Sequence, residues 1–203
     1  NITPFFQYDV NIEKIPQSIA VIPFLCNVLP LCFVLDVEVF VDELDETFYR
    51  CIDEYRKAYQ EMIPMITFKG KVIPNKIIKN SSLIKNEKSC LLFSGGIDAT
   101  NSLVMHEDEI EDCITVWGSD IRVNNETGWL AMKNNILTII EKFKKKSLIV
   151  KSNFRDYINE KSLEKHIREA HDGWWHGFQH GVALLGMTAP LAYLKGYKKV
   201  FIA

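Results

Sequence analysis

Two adjacent glycines, Gly95 and Gly96, stand directly after an apolar run (Leu91, Leu92, Phe93) and directly before an acid and a helix-like segment. The chain has only ten glycines, so a pair at one strand end is a feature to explain. The order Ser94-Gly95-Gly96-Ile97-Asp98 suits phosphate. Glycines let backbone N–H groups close around phosphate oxygens, and the N-terminus of the following helix adds partial positive charge. Ser94 can donate its hydroxyl, and Asp98 can cap the helix or hold Mg2+ through water. A plain strand-to-helix turn is the alternative reading of the same residues. Two other phosphate loops are excluded, since neither Gly-Lys-[Ser/Thr] nor G-x-G-x-x-G occurs.

The segment resembles the signature of the PP-loop ATP pyrophosphatase superfamily, S-G-G-x-D-[ST] after the first strand of a sheet. It matches at Ser94, Gly95, Gly96 and Asp98 and departs at Ala99, where the family usually has a hydroxyl; Thr100 follows. By strand and helix order the likeness covers residues 89 to 203. It implies a HUP-like sheet with ATP and Mg2+ as cofactors. It also implies an adenylating enzyme, which activates a carbonyl, carboxylate or amide oxygen, releases pyrophosphate and lets a nitrogen or sulfur nucleophile displace AMP. The expected substrate is a small or nucleobase-like molecule. The 7-cyano-7-deazaguanine synthase, asparagine synthetase-like and tRNA-thiolating branches all stay open. A non-catalytic nucleotide-binding sensor is the rival from another class.

Two further stretches belong with this reading. TVWGSDI (115–121) puts Trp117, Gly118, Ser119 and Asp120 at the end of the next strand. The resemblance implies that adenosine lies across those two strand ends, with Trp117 and Ser119 as nucleotide contacts and Asp120 as a catalytic candidate beside Asp98. Core packing is the other reading of Trp117. In DGWWHGFQHGVALLGMTAPLAYL (172–194), His176 and His180 are four apart and share a helix face, so they suit one metal or one phosphate. No H-E-x-x-H glutamate is present. Gly177 and Gly181 suit a helix start that backs onto a ligand. His180 is therefore a catalytic candidate and Gly181 a cofactor-binding one. Packing and capping remain the alternative for His176, and His166 and His171 read as exposed helix residues.

Elements must position these groups. Residues 5–12 and 37–43 read as strands, and Asp45 as the cap of a helix to Met62 with Phe48, Ile52, Tyr55, Tyr59 and Met62 on one face. Pro64 ends it, and 68–80 reads as two short strands around a proline turn. From residue 89 the rhythm changes to strands at 89–94, 113–118, 147–152 and 199–203. Helices fall between them near 98–105, 128–143, 160–170 and 176–195, the last punctuated by Pro190 and stopped at Gly196. The acidic run 106–112 reads as a solvated loop. Such alternation predicts an α/β fold, a doubly wound parallel sheet, behind a smaller N-terminal α+β domain, with the boundary between residues 88 and 89. A ligand should sit at the carboxyl ends of the strands, near the switch point.

Composition sets the limits. A net charge of -2 with 25% charged residues gives no nucleic-acid-coating surface; the basic run Lys142–Lys146 reads as an exposed helix end. Five scattered cysteines without a C-x-x-C pair suit a reducing, cytoplasmic setting and no zinc site. The apolar run 19–35 is broken by Pro23, Asn27 and Pro30, and reads as buried core rather than a membrane span. A chain ending on an apolar strand reads as a piece of a longer protein. The N-terminal residues leave open substrate positioning or homodimer formation.

Overall fold

The computed structural model describes residues 3–81, 87–170 and 172–203. The chain opens with strand β1 (Phe6–Tyr8), one turn of helix α1 (Gln17–Ala20) and helix α2 (Ile22–Leu35). Strand β2 (Glu38–Asp45), helix α3 (Glu46–Met62) and strand β3 (Lys71–Ile78) follow. Regular alternation then begins with β4 (Ser89–Leu92), α4 (Ile97–Met105), β5 (Ile110–Trp117), α5 (Glu126–Lys142) and β6 (Lys146–Ser152). A 3-10 turn (Phe154–Tyr157), the short α6 (Glu160–Leu163), two more 3-10 turns (Glu164–His166, Arg168–Ala170) and a π-helical turn (Trp174–Gln179) come next. The chain closes with α7 (His180–Met187), α8 (Ala189–Lys195) and β7 (Val200–Phe201).

These elements form two compact units, one of Asn1–Lys14, Ser82–Ile158 and Pro190–Ala203, the other of Ile15–Ser81 and Asn159–Ala189. The division differs from a single cut after residue 88. β1 is drawn into the later sheet by antiparallel pairing with β6, and α7 packs on α2. Neither partner is near in sequence, so local pattern could not assign them.

The first unit is an α/β structure around a five-stranded sheet of order β1-β6-β5-β4-β7. All pairings are parallel except that of β1. β4 is buried along its whole length, as a central parallel strand must be. Leu91, Phe93 and Cys113 of the sheet region pack with Ala99 and Leu103 of α4 and Ile136 and Ile140 of α5 in one core cluster. Each Leu, Ile or Phe among them contributes about 1.5–3 kcal/mol on burial. The acidic run 106–112 is not simply a solvated loop. β5 already begins at Ile110, and Ile110 and Asp112 are buried. Asp112 is tolerated there because its Oδ2 accepts a hydrogen bond from the Tyr197 hydroxyl and has Lys195 Nζ at 3.9 Å.

In the second unit β2 and β3 form a two-stranded parallel sheet. Residues 68–80 give one strand, not two around a turn. Pro74 fits inside it, opposite Val41, because each strand of a two-stranded sheet has a free edge where a missing N–H costs no ladder bond. Asp45 caps α3 by accepting from Phe48 N–H at 2.9 Å. Ile52 and Tyr59 on its inner face are buried, while Met62 at the last turn is 58% exposed. α2 runs through Pro30 and ends on Asp36 in the left-handed region. No helix among the described residues is long and apolar enough to cross a membrane. The expected helix over 160–170 is instead α6 and two 3-10 turns, with Ile167 its fully buried side chain. The expected helix over 176–195 is three pieces. Thr188 turns both its N–H and its hydroxyl onto Leu185 O, and Pro190, which has no N–H, sits in the first turn of a new helix.

Candidate functional site

β4 is the strand at which the sheet order reverses. The chain steps from β4 to β5 to β6 in one direction, and β7 is then laid on the other side of β4. Ser94, Gly95 and Gly96 follow β4 at its carboxyl end and lead into α4, which is where open parallel sheets take ligands. The loop is anchored on β5, since Phe93 N–H donates to Ile114 O at 2.8 Å and the buried Thr115 hydroxyl donates to Phe93 O at 2.8 Å.

The two glycines differ in their reasons. Gly95 has φ +77°, a left-handed conformation that a side chain strains, and a Cβ there would stand 3.0 Å from Ile136 Cγ1. The turn alone requires it. Gly96 has φ −71° and ψ 171°, ordinary extended backbone, and a Cβ would meet nothing closer than the rotatable Ser94 hydroxyl at 3.3 Å. Gly96 also occupies the N-cap of α4, where Ser, Asp or Asn would serve the helix better. The fold does not ask for that glycine.

No side chain caps α4. Thr100 N–H is the first in the helix to reach a carbonyl four residues back, Gly96 O at 3.0 Å, so the N–H groups of Ile97, Asp98 and Ala99 form the open first turn. Gly96 N–H donates to Ser94 Oγ at 3.2 Å, a bond that does not spend the serine's own proton. Ser94, Gly96 and Asp98 are exposed. Ala99 is buried in the core cluster, so a hydroxyl at that position would point into apolar surroundings. The Thr100 hydroxyl donates to Gly96 O at 2.8 Å, inward to its own helix.

The neighbouring turn after β5 is built as tightly. Gly118 has φ +114°, and a Cβ would lie 1.7 Å from Ser152 O, so no other residue fits. Ser119 is buried; its hydroxyl donates to Val116 O at 3.3 Å and its carbonyl accepts from Arg155 Nη1 at 2.7 Å. Asp120 is exposed. Trp117 stacks on the buried Trp129 at 4.9 Å with 2° between planes, carries Lys151 Nζ at 3.8 Å from its ring centre, and donates from Nε1 to Arg122 O. Its ring is engaged by the protein, in keeping with the packing reading. Lys151, Arg155 and Arg122 bring positive charge to the carboxyl ends of β5 and β6. The sequence reading missed them; the available signal was a lysine ending the apolar alternation of residues 146–152.

His180 and Gly181 belong to the other unit, at the start of α7. The His180 ring is 5.3 Å from Trp175 and 6.2 Å from His176. His166 is exposed in a 3-10 turn, and His171 lies outside the described residues. Among the described residues no group of three or more His, Cys, Asp or Glu side chains is arranged to hold a metal ion. Comparison with family models, with curated proteins and with solved structures yields no match for this chain.

Proposed function

We propose that the first unit binds ATP with Mg2+ at the loop 94–98, in a PP-loop arrangement of the HUP kind, and uses it to adenylate a small substrate. The single observation that carries this reading is Gly96. It is an exposed glycine at a helix N-cap, at the switch strand of a parallel sheet, with no backbone or packing reason to lack a side chain. Close approach of a polyphosphate supplies the reason. Ser94 and the open N–H groups of the first turn of α4 would donate to phosphate oxygens. Asp98 would repel a bare triphosphate, so Mg2+ between the two makes the charges consistent. When bound, Mg2+ would offset charge on the phosphates and help pyrophosphate depart. Asp120 and the cations Lys151 and Arg155 line the adjacent strand ends, where the adenylated substrate would form.

One observation favours binding without chemistry. Ala99 supplies no hydroxyl and that of Thr100 is spent on Gly96 O, so the loop offers fewer side-chain donors than the family signature. Calorimetric titration with ATP and Mg2+ tests the site. Wild type should bind, and Gly96→Asp should not, although aspartate at an N-cap leaves the melting temperature unchanged or raised. Retained binding in that variant, or no binding by wild type, refutes the nucleotide reading. Release of pyrophosphate against a substrate panel then separates an adenylating enzyme from a sensor.

A further inference from the structure

The second unit holds a cavity of about 330 Å³ between α3 and the π-helical turn that leads into α7. Its walls include Tyr55, Tyr59 and Phe178. Tyr59 and Phe178 are stacked at 5.7 Å with 16° between planes, and Trp174 continues the stack on Phe178 at 5.7 Å. The Tyr59 hydroxyl donates to Phe178 O, which ties α3 to the π-helical turn and fixes both walls. Among the described residues lining the cavity there is no Asp, Glu, Lys or Arg. The polar side chains on it are those of Tyr55, Tyr59, whose hydroxyl is spent on Phe178 O, and the exposed His176.

Three glycines lie within these helical turns, and two are explained by packing. A Cβ on Gly186 would meet Cys26 Cβ at 2.2 Å, where α7 packs on α2, and one on Gly177 would meet Asp172 at 2.8 Å. Gly181 is different. A Cβ there would meet nothing within 4 Å, and its φ is not in the left-handed region. Glycine inside a helix costs about 1 kcal/mol relative to alanine, and at Gly181 no packing requirement offsets that cost. Its effect is to leave helix backbone bare on the cavity, next to Gly177. A flat ring can come closest to helix backbone where a Cβ is missing. The volume is that of a small-ligand pocket, and rings in the walls favour offset or edge contact with another ring.

We propose that this cavity is a binding site for an uncharged, planar heteroaromatic molecule, seated over Gly181 against Tyr55 and the Tyr59–Phe178 stack. This site is separate from the nucleotide reading and holds whether or not the loop 94–98 binds ATP. Saturation-transfer NMR on the full chain, with indole as probe and cyclohexylmethanol as a saturated control of similar size, tests it. Indole should bind and the alcohol should not. Gly181→Leu fills open space, so it should keep or raise the melting temperature while weakening indole binding by about tenfold or more. Ala58→Leu, which narrows the cavity from the α3 side, should weaken it too and stands in if the first variant does not fold. Equal binding of the two probes, no indole binding by wild type, or unchanged binding in a folded variant would overturn the site.

Discussion

Glycine position decides most at the residue scale. Gly95→Ala places a side chain at φ +77° against Ile136 and should cost about 1–3 kcal/mol by urea denaturation. Gly118→Ala adds a clash at 1.7 Å to its strain and should cost about 2–5 kcal/mol. Gly96→Asp, at an N-cap that favours aspartate, should be neutral or stabilising. A chain in which only the neutral one of these three abolishes ATP binding without unfolding would separate ligand from turn. Asp98→Asn makes a second demand. With the carboxylate gone, ATP affinity in Mg2+ should fall on the order of tenfold, and titration without Mg2+ should no longer differ from titration with it. Unchanged metal dependence would remove Asp98 from the proposed site.

At the scale of elements, the fold is held by a few contacts that can be cut singly. The end of α8 is tied to β5 by Tyr197 and Lys195 on the buried Asp112. Asp112 Oδ1 has no hydrogen-bond partner among the described residues, so the Tyr197 hydroxyl satisfies much of what that carboxylate has. Tyr197→Phe should cost about 1.5–3 kcal/mol, measured as a shift of the urea midpoint. Asp45→Ala removes the cap of α3 and should cost about 1 kcal/mol. It also takes one acceptor from the Asn80 amide, which donates to Asp45 Oδ2 at 3.0 Å and to Ser18 Oγ at 2.9 Å. Leu103→Ala opens a hole in the cluster under β4 and should cost about 2–5 kcal/mol.

The whole molecule has a pH response set by buried acids that stay protonated. Burial pushes Cys26, Cys90 and Cys113 up to about 12, and raises Tyr8, Tyr59 and Tyr197 well above an ordinary phenol. For Tyr197 the hydrogen bond to Asp112 adds to burial. In each case the folded state holds its proton more tightly than the unfolded chain. Their contribution is fully present below the unfolded pKa values and is lost as pH rises through them, from about pH 8.5 for thiols and about 10 for phenols. The urea midpoint should therefore fall steadily between pH 8.5 and 11. A flat profile there would contradict the burial of these groups. Thiol labelling reads the same packing: only Cys51 is exposed, so one of the five cysteines should react in the native state and all of them after denaturation.

The sequence by itself determined what depends on near neighbours. Alternation marked the strands from 113 and 147 onward, Asp45 marked a cap, and Gly196 marked a helix end, which the Gly196 and Tyr197 N–H bonds to Ala192 O now close. Ser94-Gly95-Gly96-Asp98 marked a strand-to-helix turn with chemistry open to it. Tertiary structure decided what depends on distant partners. It drew β1 into the five-stranded sheet through β6, buried Asp112 because Tyr197 arrives from 85 residues away, and continued a strand through Pro74 because its edge is free. It also told apart glycines that look alike in sequence. Gly118 is fixed by Ser152 and Gly186 by Cys26, whereas Gly96 would meet only the Ser94 hydroxyl and Gly181 faces open space. A side chain's absence carries meaning only once its neighbours are known, and those neighbours are brought together by the fold.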